Sequence, residues 1–250
     1  MATTTRRFSS KPAAAATERT VRRGRFVTFE GGEGAGKSTQ VRLLSERLRQ
    51  IGIHANTTRE PGGSPGAEIM RHVVLSGAAK PLGPFAEAAL FAAARADHLD
   101  VTIRPTLESG SWVICDRFAD STRAYQGVLG DLDPRLIAAL EAVTVGDTRP
   151  DLTLILDLPA AEGLARAAAR SGSNADRFES EDLNFHLRLR DAFRDIATRE
   201  PARCVLVDAS GTPEQVAEEV WQVVSARLGD YLPKRPGPAP APQRVVARRA

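Results

Sequence analysis

An apolar run, Phe26-Val27-Thr28-Phe29-Glu30, opens directly into Gly31-Gly32-Glu33-Gly34-Ala35-Gly36-Lys37-Ser38, which leads into a helix-forming stretch. No other part of the chain restricts the fold as much. The eight residues fit G-x-x-x-x-G-K-[ST], in which a buried strand, a glycine-rich loop and the first turn of a helix follow one another. Glycines let backbone N–H groups converge on phosphate oxygens where a Cβ would intrude. The helix that follows aims its positive N-terminus at the same oxygens. Lys37 reaches the outer phosphates as a point charge, and the hydroxyl of Ser38 is placed to ligate a magnesium ion. The motif alone serves any protein that uses a nucleoside triphosphate.

Apolar runs alternate with helical patterns along the rest of the chain. Strands are predicted at 26–30, 51–57, 111–116, 151–158 and 203–208, and helices at 37–50, 65–76, 84–109, 121–128, 134–145, 160–170, 182–199 and 213–228. Thr212-Pro213-Glu214-Gln215 opens the last helix with an N-cap, a proline at the first position and first-turn acidity. Strands apolar on both faces and separated by helices imply a parallel sheet covered on both sides. The predicted fold is therefore α/β, a P-loop NTPase fold with a five-stranded parallel sheet. In such sheets ligands bind beyond the carboxyl ends of the strands.

Composition narrows the function classes. The chain has 250 residues, 42% hydrophobic and 26% charged, as in ordinary globular proteins. No apolar run approaches the ~18 residues of a membrane span. Cys115 and Cys204 each sit in an apolar run and read as buried free thiols of a reducing, cytoplasmic setting. The pI of 9.2 points toward nucleic acid, but the charge is unevenly placed. Residues 1–25 contribute +6 and residues 229–250 contribute +4, which leaves −7 for residues 26–228. Nucleic-acid binding thus rests on the tails alone. Three parts are expected: a disordered basic extension at 1–24, one domain at 25–229, and a proline-rich basic tail at 230–250. The four histidines lack metal-ligand spacing and read as surface or structural residues.

Polar residues at the predicted strand ends form a second constellation. Arg59-Glu60-Pro61-Gly62-Gly63 puts a guanidinium, suited to a bidentate grip on a phosphate, after the second strand. Asp116-Arg117-Phe118 puts an acid and a base after the third, suited to magnesium and phosphate respectively. Phe91 and Arg95 lie four apart, on one helical face. Arg166 and Arg170 share another helical face and lead into a Ser-Gly-Ser loop.

Taken in order, these stretches resemble a known family. Phe29-Glu30-Gly31-x-Glu33-Gly34-Ala35-Gly36-Lys37-Ser38-Thr39 is followed by Arg59-Glu60-Pro61-Gly62-Gly63 and Phe91-x-x-x-Arg95. Then come Asp116-Arg117-Phe118-x-x-Ser121-x-x-Ala124-Tyr125-Gln126-Gly127 and Asp176-Arg177-Phe178-Glu179. Over residues 25–228 the chain resembles the bacterial thymidylate kinases, P-loop nucleoside monophosphate kinases. The resemblance implies ATP-dependent phosphorylation of dTMP to dTDP with Mg²⁺, a homodimer packed through helices near the dTMP site, and no membrane or nucleic-acid partner. It places ATP on Gly31, Gly32, Glu33, Gly34, Ala35, Gly36, Lys37, Ser38 and Thr39, and the metal at Ser38 and Asp116. It places dTMP against Arg59 and Arg117 at the phosphate, and against Phe91, Arg95, Ser121, Thr122 and Gln126 around the base. Tyr125 and Glu33 fall at the deoxyribose. The phosphate loop contains no arginine, so a lid at about 166–180 must supply one. Arg170 and Arg177 are the candidates, and Ala168 stands where many bacterial members carry another arginine. Lys37, Asp116 and these two arginines make up the implied catalytic set. Another P-loop kinase and a P-loop switch are the alternatives. The Asn-Lys-x-Asp motif of GTPases is absent.

Overall fold

The computed structural model describes residues 22–171, 178 and 180–233. Five strands form one parallel sheet: β1 (Phe26–Gly31), β2 (Ala55–Arg59), β3 (Trp112–Asp116), β4 (Leu152–Asp157) and β5 (Cys204–Asp208), in the order β2-β3-β1-β4-β5. The chain first winds from β1 outward to β2 and β3, then crosses to β4 and β5. That reversal opens a crevice at the carboxyl end of β1, where the glycine-rich loop begins.

Side-chain alternation along the strands builds both halves of the core. Val27 and Phe29 of β1 and Leu152, Leu154 and Leu156 of β4 pack against α1 (Lys37–Gln50) and α9 (Pro213–Leu228). On the other face, Phe26, Val113 and Cys115 meet Leu99, Ile103 and Leu107. Ile155 meets α8 (Leu183–Arg199) through Leu189 and Phe193. Alternating strand residues therefore bury both faces of a central parallel sheet, as buried apolar runs require. Cys115 and Cys204 are buried free thiols. Among the described residues, no helix is long and apolar enough to cross a membrane.

Three departures from the sequence-based expectation have physical causes. The second strand lies at Ala55–Arg59 rather than 51–57, because Ile51 and Gly52 close α1, Gly52 at φ +82°. As an edge strand reading Ala-Asn-Thr-Thr-Arg, β2 is largely solvated and carries no two-faced apolar run. The long helix expected over 84–109 is α3 (Gly83–His98), a π-turn at Leu99–Ile103 and α4 (Arg104–Glu108). That expected over 121–128 is a short α5 (Ala119–Thr122) followed by a π-turn at Arg123–Leu129. Such π-segments occur mostly as interruptions of α-helices at functional sites, and the second contributes Tyr125 and Gln126 to the acceptor cleft described below. The remaining helices, α2 (Pro65–Leu75), α6 (Pro134–Thr144) and α7 (Ala160–Ser171), fall close to the predicted ranges.

Arg25, just before β1, stacks over Tyr231 with its guanidinium carbon 3.9 Å from the ring centre. Arg25 and Tyr231 thus meet at the amino end of β1, away from the crevice.

Candidate active site

The phosphate loop takes its path from left-handed glycines, with Gly31, Gly34 and Gly36 at φ +131°, +67° and +88°. At Gly34 the requirement is doubled. A Cβ there would lie 1.9 Å from the carbonyl oxygen of Gly163 in α7, and a Cβ on Gly163 would lie 2.4 Å from that of Glu33. Two glycines about 130 positions apart let loop and helix touch backbone to backbone.

Lys37 is folded into the loop, its Nζ donating to the carbonyls of Gly31 (3.1 Å) and Gly32 (2.7 Å). Burial pushes its ammonium below the ordinary lysine value and Arg117 adds to this, while Glu33, Asp116 and Glu30 oppose it. At the first turn of α1 the hydroxyl of Ser38 donates to Asp116 at the end of β3. A hydroxyl and a carboxylate thus meet beside the phosphate loop.

Arg117 owes its direction to a rare backbone conformation, φ +67°. Its N–H donates to Phe29 (2.8 Å), while the guanidinium turns under the loop to donate to the carbonyl of Gly31 (3.1 Å) and to Glu33 Oε1 (2.6 Å). Tyr125 donates to the same Glu33 oxygen at 2.7 Å. Burial alone would raise the Glu33 carboxyl, but Arg117, Lys37 and Tyr125 outweigh it and hold it at about 2. Three residues earlier, Glu30 meets the opposite fate. Burial and the neighbouring Asp120 push its carboxyl up to about 8, against the hydrogen bonds it receives. Glu30 accepts from the backbone N–H of Phe118 (2.7 Å) and Ser121 (3.3 Å), and lies 2.6 Å from Ser121 Oγ. It therefore holds the start of α5. Asp120 is gripped from the other side by Arg203 at 2.7 and 3.0 Å.

Two clefts meet at this centre. One follows the phosphate loop past Lys37, Ser38 and Thr39 to Arg59 and Asp116. The other is walled by Phe91, Arg95, Ser121, Thr122, Tyr125, Gln126 and Phe178. Glu33, Glu60, Arg71 and Arg117 line both. Arg59 is exposed and held by Glu68 at 3.0 and 3.2 Å. Phe178 packs edge-on against Tyr125, with ring centres 5.0 Å apart. A third cleft flanks the loop's other side, between Arg166 of α7 and Ala209–Pro213.

Every site residue predicted from sequence that can be described gathers here. Arg177 lies outside the described residues, as does the side chain of Arg170, whose backbone sits near the end of α7. Sequence reasoning missed Arg71, which donates to the carbonyl of Pro61 (2.7 Å), and Glu30, Gly163 and the Ala209–Pro213 turn. Glu30 stood inside a quoted motif, and proximity to one was the available signal for Arg71. Gly163 offered none.

A parallel sheet in this order, a phosphate loop and a second, base-sized cleft sharing its cations define a P-loop phosphotransferase acting between two nucleotides. Comparison with known proteins gives the particular family. The family model described as thymidylate kinase matches residues 29–220. The thymidylate kinase of Bradyrhizobium diazoefficiens is 61% identical over 214 residues, covering 85% of this chain and 94% of that protein. That of Nitrobacter hamburgensis is 61% identical over 207 residues, covering 82% and 90%. Among solved structures, the thymidylate kinase of Ehrlichia chaffeensis aligns with a TM-score of 0.65 at 36% identity, covering 80% of this chain and 98% of that one. The chain belongs to the thymidylate kinase family.

Proposed function

We propose that the chain transfers the γ-phosphoryl group of ATP to dTMP, giving ADP and dTDP, with the donor on the phosphate loop and the acceptor in the cleft walled by Phe91 and Tyr125. The observation that carries this reading is the sharing of Glu33, Arg71 and Arg117 by the two clefts, with Lys37 lining the one along the phosphate loop. Phosphoryl transfer is mainly positioning and charge neutralisation. Lys37 exchanges its two carbonyl partners for the outer phosphates of ATP. Arg59, Arg71 and Arg117 align the dTMP phosphate, one oxygen of which attacks the γ-phosphorus in line. The bond to the β,γ-bridging oxygen breaks and ADP leaves.

The acceptor's identity is read along the second cleft. Phe91 stacks on thymine, Arg95 hydrogen-bonds its edge, and Ser121, Thr122 and Gln126 border the ring. Tyr125 packs against the deoxyribose where a 2′-hydroxyl would fall, and the ionised Glu33 accepts from the 3′-hydroxyl. The adenine of ATP takes the cleft between Arg166 and Ala209–Pro213. Arg170 and Arg177 supply positive charge to the transferring group.

The contact of Ser38 with Asp116 fits a magnesium ion, which takes hard oxygen ligands and keeps several waters beside phosphates. When bound there it would neutralise charge on the β- and γ-phosphates. Exposed apolar residues on neighbouring helices, Ile69 on α2, Phe85 on α3 and Val143 on α6, support a homodimer that buries this layer. A cytoplasmic location accords with the two free thiols.

A coupled ADP-release assay with dTMP, dUMP, UMP and AMP tests the reading. Preference for dTMP is the expected result, and strong preference for AMP would sink it.

A further inference from the structure

We propose that His98 is a positioning residue for acceptor recognition, acting through Glu60 to fix the guanidinium of Arg95 in the wall of the base cleft. The proposal rests on the reading of Arg95 as the residue that hydrogen-bonds the thymine edge.

Three charged or titratable groups are interred side by side: His98 is 0% exposed, Arg95 4% and Glu60 7%. Arg95 and His98 lie three apart on α3, and Glu60 follows β2, so helix and loop meet at this cluster. Arg95 Nε donates to Glu60 Oε2 at 2.8 Å, and its Nη2 donates to Thr122 Oγ1 (3.0 Å) and the carbonyl of Phe118 (3.3 Å). These bonds set the plane of the guanidinium and leave Nη1 without an acceptor among the described residues. Arg95 also lines the cleft, so that nitrogen is the one available to a bound base.

The other oxygen of Glu60 lies 3.1 Å from His98 Nδ1. A carboxylate facing an arginine can only accept, so Nδ1 carries the proton. The second imidazole nitrogen, Nε2, sits 2.7 Å from Thr58 Oγ1 on β2. Both ring nitrogens are engaged, which fixes the ring, and the ring fixes the carboxylate. An aliphatic side chain would serve a merely packed position at least as well. A buried imidazole with two polar partners, one of them the ligand of a cleft arginine, is the arrangement by which outer groups orient a binding residue.

Gly63 makes room for the relay. A Cβ at that position would stand 2.4 Å from His98 Nε2 and 2.3 Å from Thr58 Oγ1. Gly63 therefore lets the loop lie directly on the histidine. Removing the imidazole would leave Glu60 Oε1 a buried acceptor without its donor. The carboxylate would then turn toward water and carry Arg95 with it.

Steady-state kinetics on the full chain test the proposal with H98L, H98N, T58V and R95A. H98L keeps bulk and loses the donor. It should raise KM for dTMP about tenfold, with kcat and KM for ATP within about twofold, the cost of one unmatched buried group felt in acceptor binding. H98N presents an amide N–H near the position of Nδ1 and should bring KM for dTMP back to within about threefold of the parent. T58V, which frees Nε2 without disturbing bulk, should raise KM for dTMP about threefold and supplies the test if H98L does not fold. The proposal is overturned by a folded H98L with unchanged KM for dTMP, by equal rises for both substrates, by H98N as impaired as H98L, or by an unaffected T58V. R95A separates the two levels. If it leaves KM for dTMP unchanged, the reading of the base cleft itself fails. If it raises KM while H98L does not, only the relay fails.

Discussion

Glu30 and Glu33 stand three residues apart at the mouth of the crevice, yet their surroundings drive them in opposite directions, to about 8 and about 2 from an ordinary 4.5. Their effects on stability have opposite signs. For Glu30 the folded chain keeps a proton that the unfolded chain gives up above 4.5. Stability therefore falls as pH rises from about 4.5 and levels off near 8. Each unit of separation is worth about 1.4 kcal/mol, so the full gap is about 5 kcal/mol, of which about 3 kcal/mol is already lost at pH 7. E30Q removes this dependence while keeping the shape. Its amide oxygen accepts from the N–H groups of Phe118 and Ser121, and its amino group donates to the Ser121 hydroxyl. Urea unfolding of the parent and E30Q at pH 5, 6, 7 and 8 reads the effect directly. The stability difference should move in favour of E30Q by at least about 2 kcal/mol between pH 5 and 8. Parallel curves for the two proteins would refute the account of Glu30 as a carboxyl held protonated by burial. Glu33 behaves in reverse. Its depressed value contributes stability above 4.5 that is lost as pH falls toward 2, about 3 kcal/mol in all, and E33Q should flatten that acid limb.

Other expected outcomes follow from the same geometry. K37A should lower kcat about 1,000-fold or more in the ADP-release assay, because charge stabilisation of the transferring group is lost. F91A should raise KM for dTMP about tenfold with a smaller change in kcat, whereas an unchanged KM would make Phe91 a core residue only. D120N should lower stability by about 3 kcal/mol in urea, since Arg203 and Arg123 would be left facing a neutral partner in a mostly buried site. G163A, remote from both substrates in sequence, should raise KM for ATP about tenfold by displacing the loop at Glu33.

What could be read from the sequence is what has a local signature. β1, β3, β4 and β5 are apolar runs bounded by polar residues, and the phosphate loop is a contiguous motif. β2 was expected at 51–57 and lies at Ala55–Arg59, because an edge strand needs no apolar faces to mark its bounds and Ala-Asn-Thr-Thr-Arg has none. The π-turns at 99–103 and 123–129 escaped because a single extra residue in a helix barely disturbs its apolar spacing. In the site, Lys37, Arg117 and Tyr125 were legible from motif order. The bonds that hold the surrounding side chains in place were not. Glu30 reaches Ser121 across 91 positions, and His98 reaches Glu60 across 38. Such pairs become neighbours only through the sheet order. Likewise Glu33 and Glu30 look alike in sequence, and only burial and the placement of Arg117 tell their charges apart.

The Gly34–Gly163 contact differs in kind from the hydrogen bonds and ion pairs of the site, because it is made of missing atoms. Truncation to alanine, which exposes a side chain's role by deleting it, can only add matter at these two positions. A scan of that kind would score α7 at Gly163 as harmful and would find no side chain to credit. A defect there would pass for a catalytic one, low affinity for the phosphate donor in a folded protein, though its origin is a helix backbone that no longer fits under the loop.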